Sequence, residues 1–449
     1  MQTSIYRQFG RYAIPTIAAM LVNGLYQVVD GVFIGQYMGS DGLAGINVAW
    51  PVISIILGIG MMIGVGTGAL ASIKQGEGKL CEAKQILATG LMLLAFLSPV
   101  VAALLWQYSD LFLLLQGSQG QMHVLAMQYL DILIFGSVFS LGSIAVPFLL
   151  RNDDSPNVAT ALMVLGALLN IVLDYLLIAV WQWELTGAAI ATMLSQGVVT
   201  IFGVAYFFSS KANLRLRASD FVLQLQCIPR IVSIGISSFF MYAYGSFMIA
   251  IHNMLFADYG SVVLVGAYAI LGYIVTLYYL IAEGIANAMQ PLLSFNYGAR
   301  RQDNMKKLFN VAMLSAVIGG LIFVVALNIF PYQSVAIFNS SDQELIDSTV
   351  TGIRLHLFSM FLDGFILIAA AYYQAINHGG KAMFVTIGNM LIQLPFLYVL
   401  PKLFSITGIW IAYPLSNIAL SLIVVWMIAK DLKALSVQNT AQAEVNSKV

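Results

Sequence analysis

Apolar runs with helical periodicity recur along the whole chain, at about residues 12–37, 45–72, 85–106, 122–148, 157–180, 186–208, 231–256, 262–291, 309–330, 352–376, 381–400 and 407–429. Most approach the roughly 20 residues that carry a helix across a bilayer core. Short polar gaps between them hold nearly all the charge. The pattern predicts an all-α polytopic membrane protein with twelve transmembrane helices. An even number of spans puts both termini on one face.

Composition removes the soluble alternative. With 60% hydrophobic residues and only 9% charged ones, a chain of 449 residues cannot cover a globule with an ordinary polar surface. Its 38 glycines and 11 prolines, many inside the apolar runs, suit membrane helices that pack closely and bend. The opening MQTSIYRQFG leads straight into the first span, so no cleavable signal peptide is expected. Cys81 and Cys227 fall in polar connections, with neither a disulfide framework nor metal-ligand spacing.

Formal net charge is zero, so the information lies in where the charges sit. Of 20 Lys and Arg, only Arg354 and Lys402 fall in loops opposite the termini. That bias places both termini in the cytoplasm. The expected setting is the inner membrane of a bacterial or archaeal-type cell, where the multi-pass protein works as a monomer among membrane lipids, with no nucleic-acid partner. A long connection around 209–230 separates an amino-terminal six-helix bundle with its loop (1–220) from a carboxyl-terminal six-helix bundle (221–435). A polar tail, 436–449, is expected to be disordered.

A repeat joins the two bundles. Shifting the chain by 221 residues places Met20 on Met241, Gly24 on Gly245, Gly39 on Gly260 and Gly45 on Gly266. The same shift places Thr186, Gly187, Ile190, Ala191 and Ser195 on Thr407, Gly408, Ile411, Ala412 and Ser416. One shift holding near both ends of the half indicates duplication. Six spans per copy leave both copies in the same orientation, related by an axis along the membrane normal. Two such bundles around a central cavity, exposed to each side in turn by rocking, make a carrier.

Carboxylates interrupt the apolar runs. Asp30, Asp174, Glu283 and Asp363 lie well inside spans, Asp131 nearer an outer end, and no Lys or Arg is read at comparable depth. Acids without a basic partner must be protonated, wet or bound to a cation. Asn170 and Asp174 are four apart on one helical face, and Thr192 adds a hydroxyl from the next span. With Asp30 facing them, these oxygens suit a hard cation or a proton exchanged between the carboxylates. Pro15 removes a backbone hydrogen bond ahead of Asp30 and is read as a gating kink. Glu283 and Asp363 are candidate cavity or gating acids. Tyr26, Tyr268, Met61 and Met241, with Tyr242, Tyr244, Tyr273, Tyr278, Met62 and Met248, are candidates for a permissive apolar cavity. His252 and His356 are isolated candidate titrating groups. The expected absence of basic groups at cavity depth points to cationic or neutral cargo. No phosphate-binding loop or metal-ligand cluster is present, so neither an enzyme nor ATP hydrolysis is expected.

Several segments together resemble the multidrug and toxic compound extrusion (MATE) family. They are NGLYQVVDGVFIGQYMG in span one, PFLLRNDDSPNVA after span four, LLNIVLDYLL in span five, LTGAAIATMLSQ in span six and ANAMQPLLSFNYGA leaving span eight. The resemblance covers roughly residues 1–435. It implies a cation-coupled antiporter, driven by sodium or protons, that exports organic cations and varied amphipathic drugs without a cofactor. By motif correspondence it implies ion coupling, with sodium as a candidate metal, at Asp30, Asn170, Asp174 and Thr192, and a bent first helix at Pro15. A second branch of that family places acids in the carboxyl lobe. Asp363 matches there, whereas span seven here carries no acid partner within its apolar run. The competing expectation is a flippase for lipid-linked saccharides or other lipids, which shares the two-bundle plan.

Overall fold

A computed structural model describes residues 4–116, 118–338 and 342–446, the side chains of 39–41, 246, 257, 262 and 432–446 excepted. Among the described residues all regular structure is helical. Six helices form the first half: α1 (Ile5–Met38), α2 (Gly42–Gly76), α3 (Leu80–Leu115), α4, α5 (Pro156–Asp174) and α6 (Glu184–Tyr206). Here α4 is two segments, Gly120–Phe135 and Ser137–Asn152, bent by 64° at Gly136. The end of α5 relaxes into a π-helical turn, Tyr175–Val180.

The second half repeats the order with α7 (Ile228–Tyr259), α8 (Val262–Gly298), α9 (Gln302–Ile329) and α10 (Gln343–His356 and Met360–Ala375, bent by 51°). The last helical run, Gly379–Asn446, breaks at Ser405, whose φ of 53° is the left-handed region. That break divides it into α11 (379–404) and α12 (406–446), completing twelve spans. Helical backbone continues to Asn446 where a disordered tail was expected from 436; residues 447–449 lie outside the described residues. Helices exceed the predicted spans by a turn or more at several ends, because capping turns project into the polar gaps.

Two apolar cores dominate, and the chain exchanges helix ends between them. The core of α2–α6 also takes Ile231 and Ile234 from the start of α7. Ile5, Phe9, Tyr12 and Ala13 from the start of α1 pack with α8, α9 and α10 instead. The outer part of the carboxyl lobe has its own cluster around Phe256, Leu271 and Trp410. α1 and α7 thus cross from one lobe to the other at the face that carries the termini.

Glycine brings the lobes into backbone contact on that face. A Cβ on Gly76 would overlap the carbonyl of Phe295, and one on Gly298 would overlap the carbonyl of Ile73. These two contacts exchange under a shift within one residue of the sequence repeat, as a two-fold axis between α2 and α8 requires. Gly66 against Ile231 and Gly58 against Phe239 extend the seam along α7 to mid-depth.

The connection between the lobes is anchored. Asp153 accepts hydrogen bonds from the backbone N–H of Leu214 at 2.6 Å and of Asn213 at 3.1 Å, and Leu214 and Leu216 are buried in the amino-lobe core. Next to it, Asp154 accepts from the Tyr12 hydroxyl at 2.7 Å, which ties α1 to the same turn.

Candidate functional site

Above the seam the lobes enclose a cavity of about 560 Å³, within the range of small-molecule sites. Its wall draws on α1, α2, α4–α8 and α10–α12. Asp30, Thr192, Glu283 and Asp363 all border it, as do Tyr26, Met61, Met241, Tyr242, Tyr244 and Tyr278.

The amino-lobe acids meet. α1 places Asp30 at the cavity wall and α5 places Asp174 behind it, fully buried, with the two carboxyls in side-chain contact. Among the described residues no donor reaches Asp30 Oδ1 or either oxygen of Asp174. Asn170, one turn earlier on α5 and 1% exposed, leaves both amide atoms unpartnered. Thr192 meets the hydroxyl of Tyr129, and Tyr26 and Tyr129 both lie within the electrostatic reach of the two acids. Two carboxyls in contact cannot both stay ionised in apolar surroundings without a proton or cation between them. The orphaned amide supplies a further oxygen ligand or a donor. Of the four sequence-predicted coupling residues, Asp30 and Thr192 therefore face the cavity, while Asn170 and Asp174 stand behind its wall.

The carboxyl lobe is arranged differently. Asp363 Oδ1 accepts from Tyr413 Oη and from Asn417 Nδ2, both at 2.5 Å, while Oδ2 has no partner. Tyr413 and Asn417 are themselves four apart on α12, a spacing visible in the sequence but not weighted there.

Some expectations are corrected. Tyr268 does not line the cavity: it stacks on His252 at 4.8 Å inside an aromatic cluster with His356 and Trp410. His252 and His356 are in that cluster as well, bonded to the carbonyls of Met248 and Trp410. Tyr273 is 64% exposed on the outer surface of its helix. Pro15 is not among the corrected readings: it lies within the helical run of α1, and its carbonyl accepts from Thr160 of α5 at 2.9 Å. The expected absence of a deep basic group is also overturned. Arg151, read as a loop cation because it ends an apolar run, is fully buried at the cavity border, where the bent α4 carries it inward.

Comparison with known proteins places this architecture. The MatE family model matches residues 15–176 and again residues 237–399. The chain belongs to the MatE family. The multidrug export protein MepA of Staphylococcus aureus (strain MSSA476) is 24% identical to this MatE chain over 427 residues, covering 94% of each. MepA of Staphylococcus saprophyticus is 22% identical over 408 residues, 91% of this chain and 90% of its own length. The fold matches a solved outward-facing multidrug resistance MATE transporter with a TM-score of 0.91, at 24% identity and over 96% of this chain and 97% of that one. MatE proteins are membrane transporters and not enzymes.

Proposed function

We propose that this MatE protein is a multidrug antiporter that exports small organic cations and amphipathic drugs from the cytoplasm, driven by inward sodium or proton movement. Contact between the Asp30 and Asp174 carboxyls at the cavity wall carries the reading. Such a pair needs a proton or cation when apposed, and only Asp30 of the two opens directly on the cargo space. Asn170 and Thr192 complete an oxygen-rich set for sodium or a proton network. Both orphaned atoms of Asn170 support that use.

With the termini cytoplasmic, the closed seam lies on the inner side of the cavity. An ion arriving from outside neutralises the amino-lobe acids and favours the return to an inward-open form. The membrane field assists inward cation movement by about 2.3 kcal/mol per charge per 100 mV. Glu283 and Asp363, with Tyr26, Met61 and Met241, shape a cavity that accepts cations beside apolar surface. Kinship to proteins named for multidrug export supports the cargo class.

The test uses purified protein in proteoliposomes with sodium and pH gradients imposed independently. Drug flux driven by one or both gradients is expected. Flux indifferent to both gradients removes the antiport reading.

A further inference from the structure

The deep guanidinium is the feature that the transport reading leaves unused. Arg151 is 0% exposed, with its Nη2 on the Met163 sulfur at 3.2 Å and its charge 5.3 Å from the centre of the Phe148 ring. Nε and Nη1 have no hydrogen-bond partner among the described residues. An isolated buried cation is costly, and one acid stabilises this one electrostatically: Glu283, on α8 of the opposite lobe. The two side chains border the same cavity from opposite lobes, and among the described residues their charges act on each other across more than 4.0 Å, without an ion-pair contact.

Glu283 heads a polar row on α8. Asn287 and Gln290 follow at i+4 and i+7 and face the same seam. Gln290 Oε1 accepts from Asn152 Nδ2 at 3.4 Å, and Asn152 Oδ1 accepts from Ser72 at 2.6 Å. Gln290 Nε2 lacks a partner among the described residues. Between Asn287 and Gln290 lies a second, small void of about 20 Å³, room for about one water. Glu283 borders both this void and the main cavity. A permanent interface would gain nothing from so many unsatisfied groups. A surface that becomes wet in another state of the cycle needs them.

We infer that Arg151 and Glu283 form an inter-lobe latch, in which the charge on Glu283 holds the seam shut and its neutralisation from the cavity releases it. The inference rests on the proposed antiport for its place in the cycle. The groups that face Glu283 are Arg151 of α4, Tyr242 of α7, and Tyr279 and Asn287 of its own helix. Arg151 is the cation among them. When Glu283 loses its charge, the guanidinium is left buried without a counter-ion, and opening the seam to water relieves that cost. Glu283 thereby acts as a positioning residue, acting through Arg151, that links the state of the cavity to the opposite gate.

The test reads the separation of the lobes directly. In the full chain with Cys227→Ser, spin labels are placed on the exposed native Cys81 and on Arg301→Cys, on opposite lobes of the termini face. The wild-type pair should give one short distance. Glu283→Gln should raise a longer-distance population by about fivefold or more. Adding Arg151→Met to Glu283→Gln should return the short distance, because no buried charge is left to release; Arg151→Gln provides the same arm if the methionine variant does not assemble. Arg151→Lys, which keeps the charge, should leave the response to Glu283→Gln intact. Unchanged distances in Glu283→Gln, or equal opening with and without the Arg151 charge, overturn the latch. Gradient-driven drug flux by the otherwise unsubstituted protein is scored separately: its absence sinks the antiport reading, whereas the distances judge the latch.

Discussion

Tyr413 donates its hydroxyl to Asp363 Oδ1 at 2.5 Å, whereas in the other lobe Asp30 Oδ1 and both oxygens of Asp174 have no donor among the described residues. Under the sequence repeat Tyr413 stands where the amino lobe has Thr192, so equivalent positions serve different chemistry. One acid is held by neutral donors, and the pair without them is the proposed ion site.

Asp30→Asn or Asp174→Asn should reduce gradient-dependent drug flux by at least about tenfold, because one pKa-unit-sized loss of ion binding already costs that factor. Drug binding in detergent should persist. Coupled flux in proteoliposomes decides this, and wild-type flux in both variants would count against the amino-lobe site.

Tyr413→Phe removes one donor from Asp363 without emptying space. A loss of about 1–3 kcal/mol in stability is expected from leaving that carboxyl less satisfied. Drug affinity should shift more than ion dependence, since Asp363 borders the cargo cavity. Thermal unfolding and equilibrium drug binding, measured on the same preparation, test both halves of the statement.

Gly298→Val places a side chain against the carbonyl of Ile73, where there is no room for a Cβ. Overpacking of this kind costs about 1–3 kcal/mol. The seam should be propped open, and labels on Cys81 and Arg301→Cys should move apart without any change at Glu283. A distance equal to that of the unsubstituted chain would show that α2 and α8 can slide to absorb the clash.

Burial pushes the Asp153 carboxyl up to about 6, although the backbone N–H groups of Leu214 and Asn213 oppose the shift. Its folded value lies above the unfolded one, so its contribution to stability is complete below about 4 and is lost as pH rises through about 6. The unfolding temperature should therefore fall between these values, and Asp153→Asn should flatten that part of the profile. Parallel curves for the two proteins would remove Asp153 as the source.

Hydrophobic run length and the placement of basic residues were enough to read twelve helices, because a bilayer forces each span to satisfy its own backbone and to be apolar for a fixed length. The Asn170–Asp174 face was legible for a similar reason: helical periodicity fixes which neighbours share a side. Facing between distant helices is not encoded in any local period. Only the packed structure brings Asp30 of α1 onto Asp174 of α5, removes Tyr268 from the cavity into an aromatic cluster, and buries Arg151 opposite Glu283. A charge at the end of an apolar run reads as a loop residue until the bend in α4 and the closed seam decide that water cannot reach it.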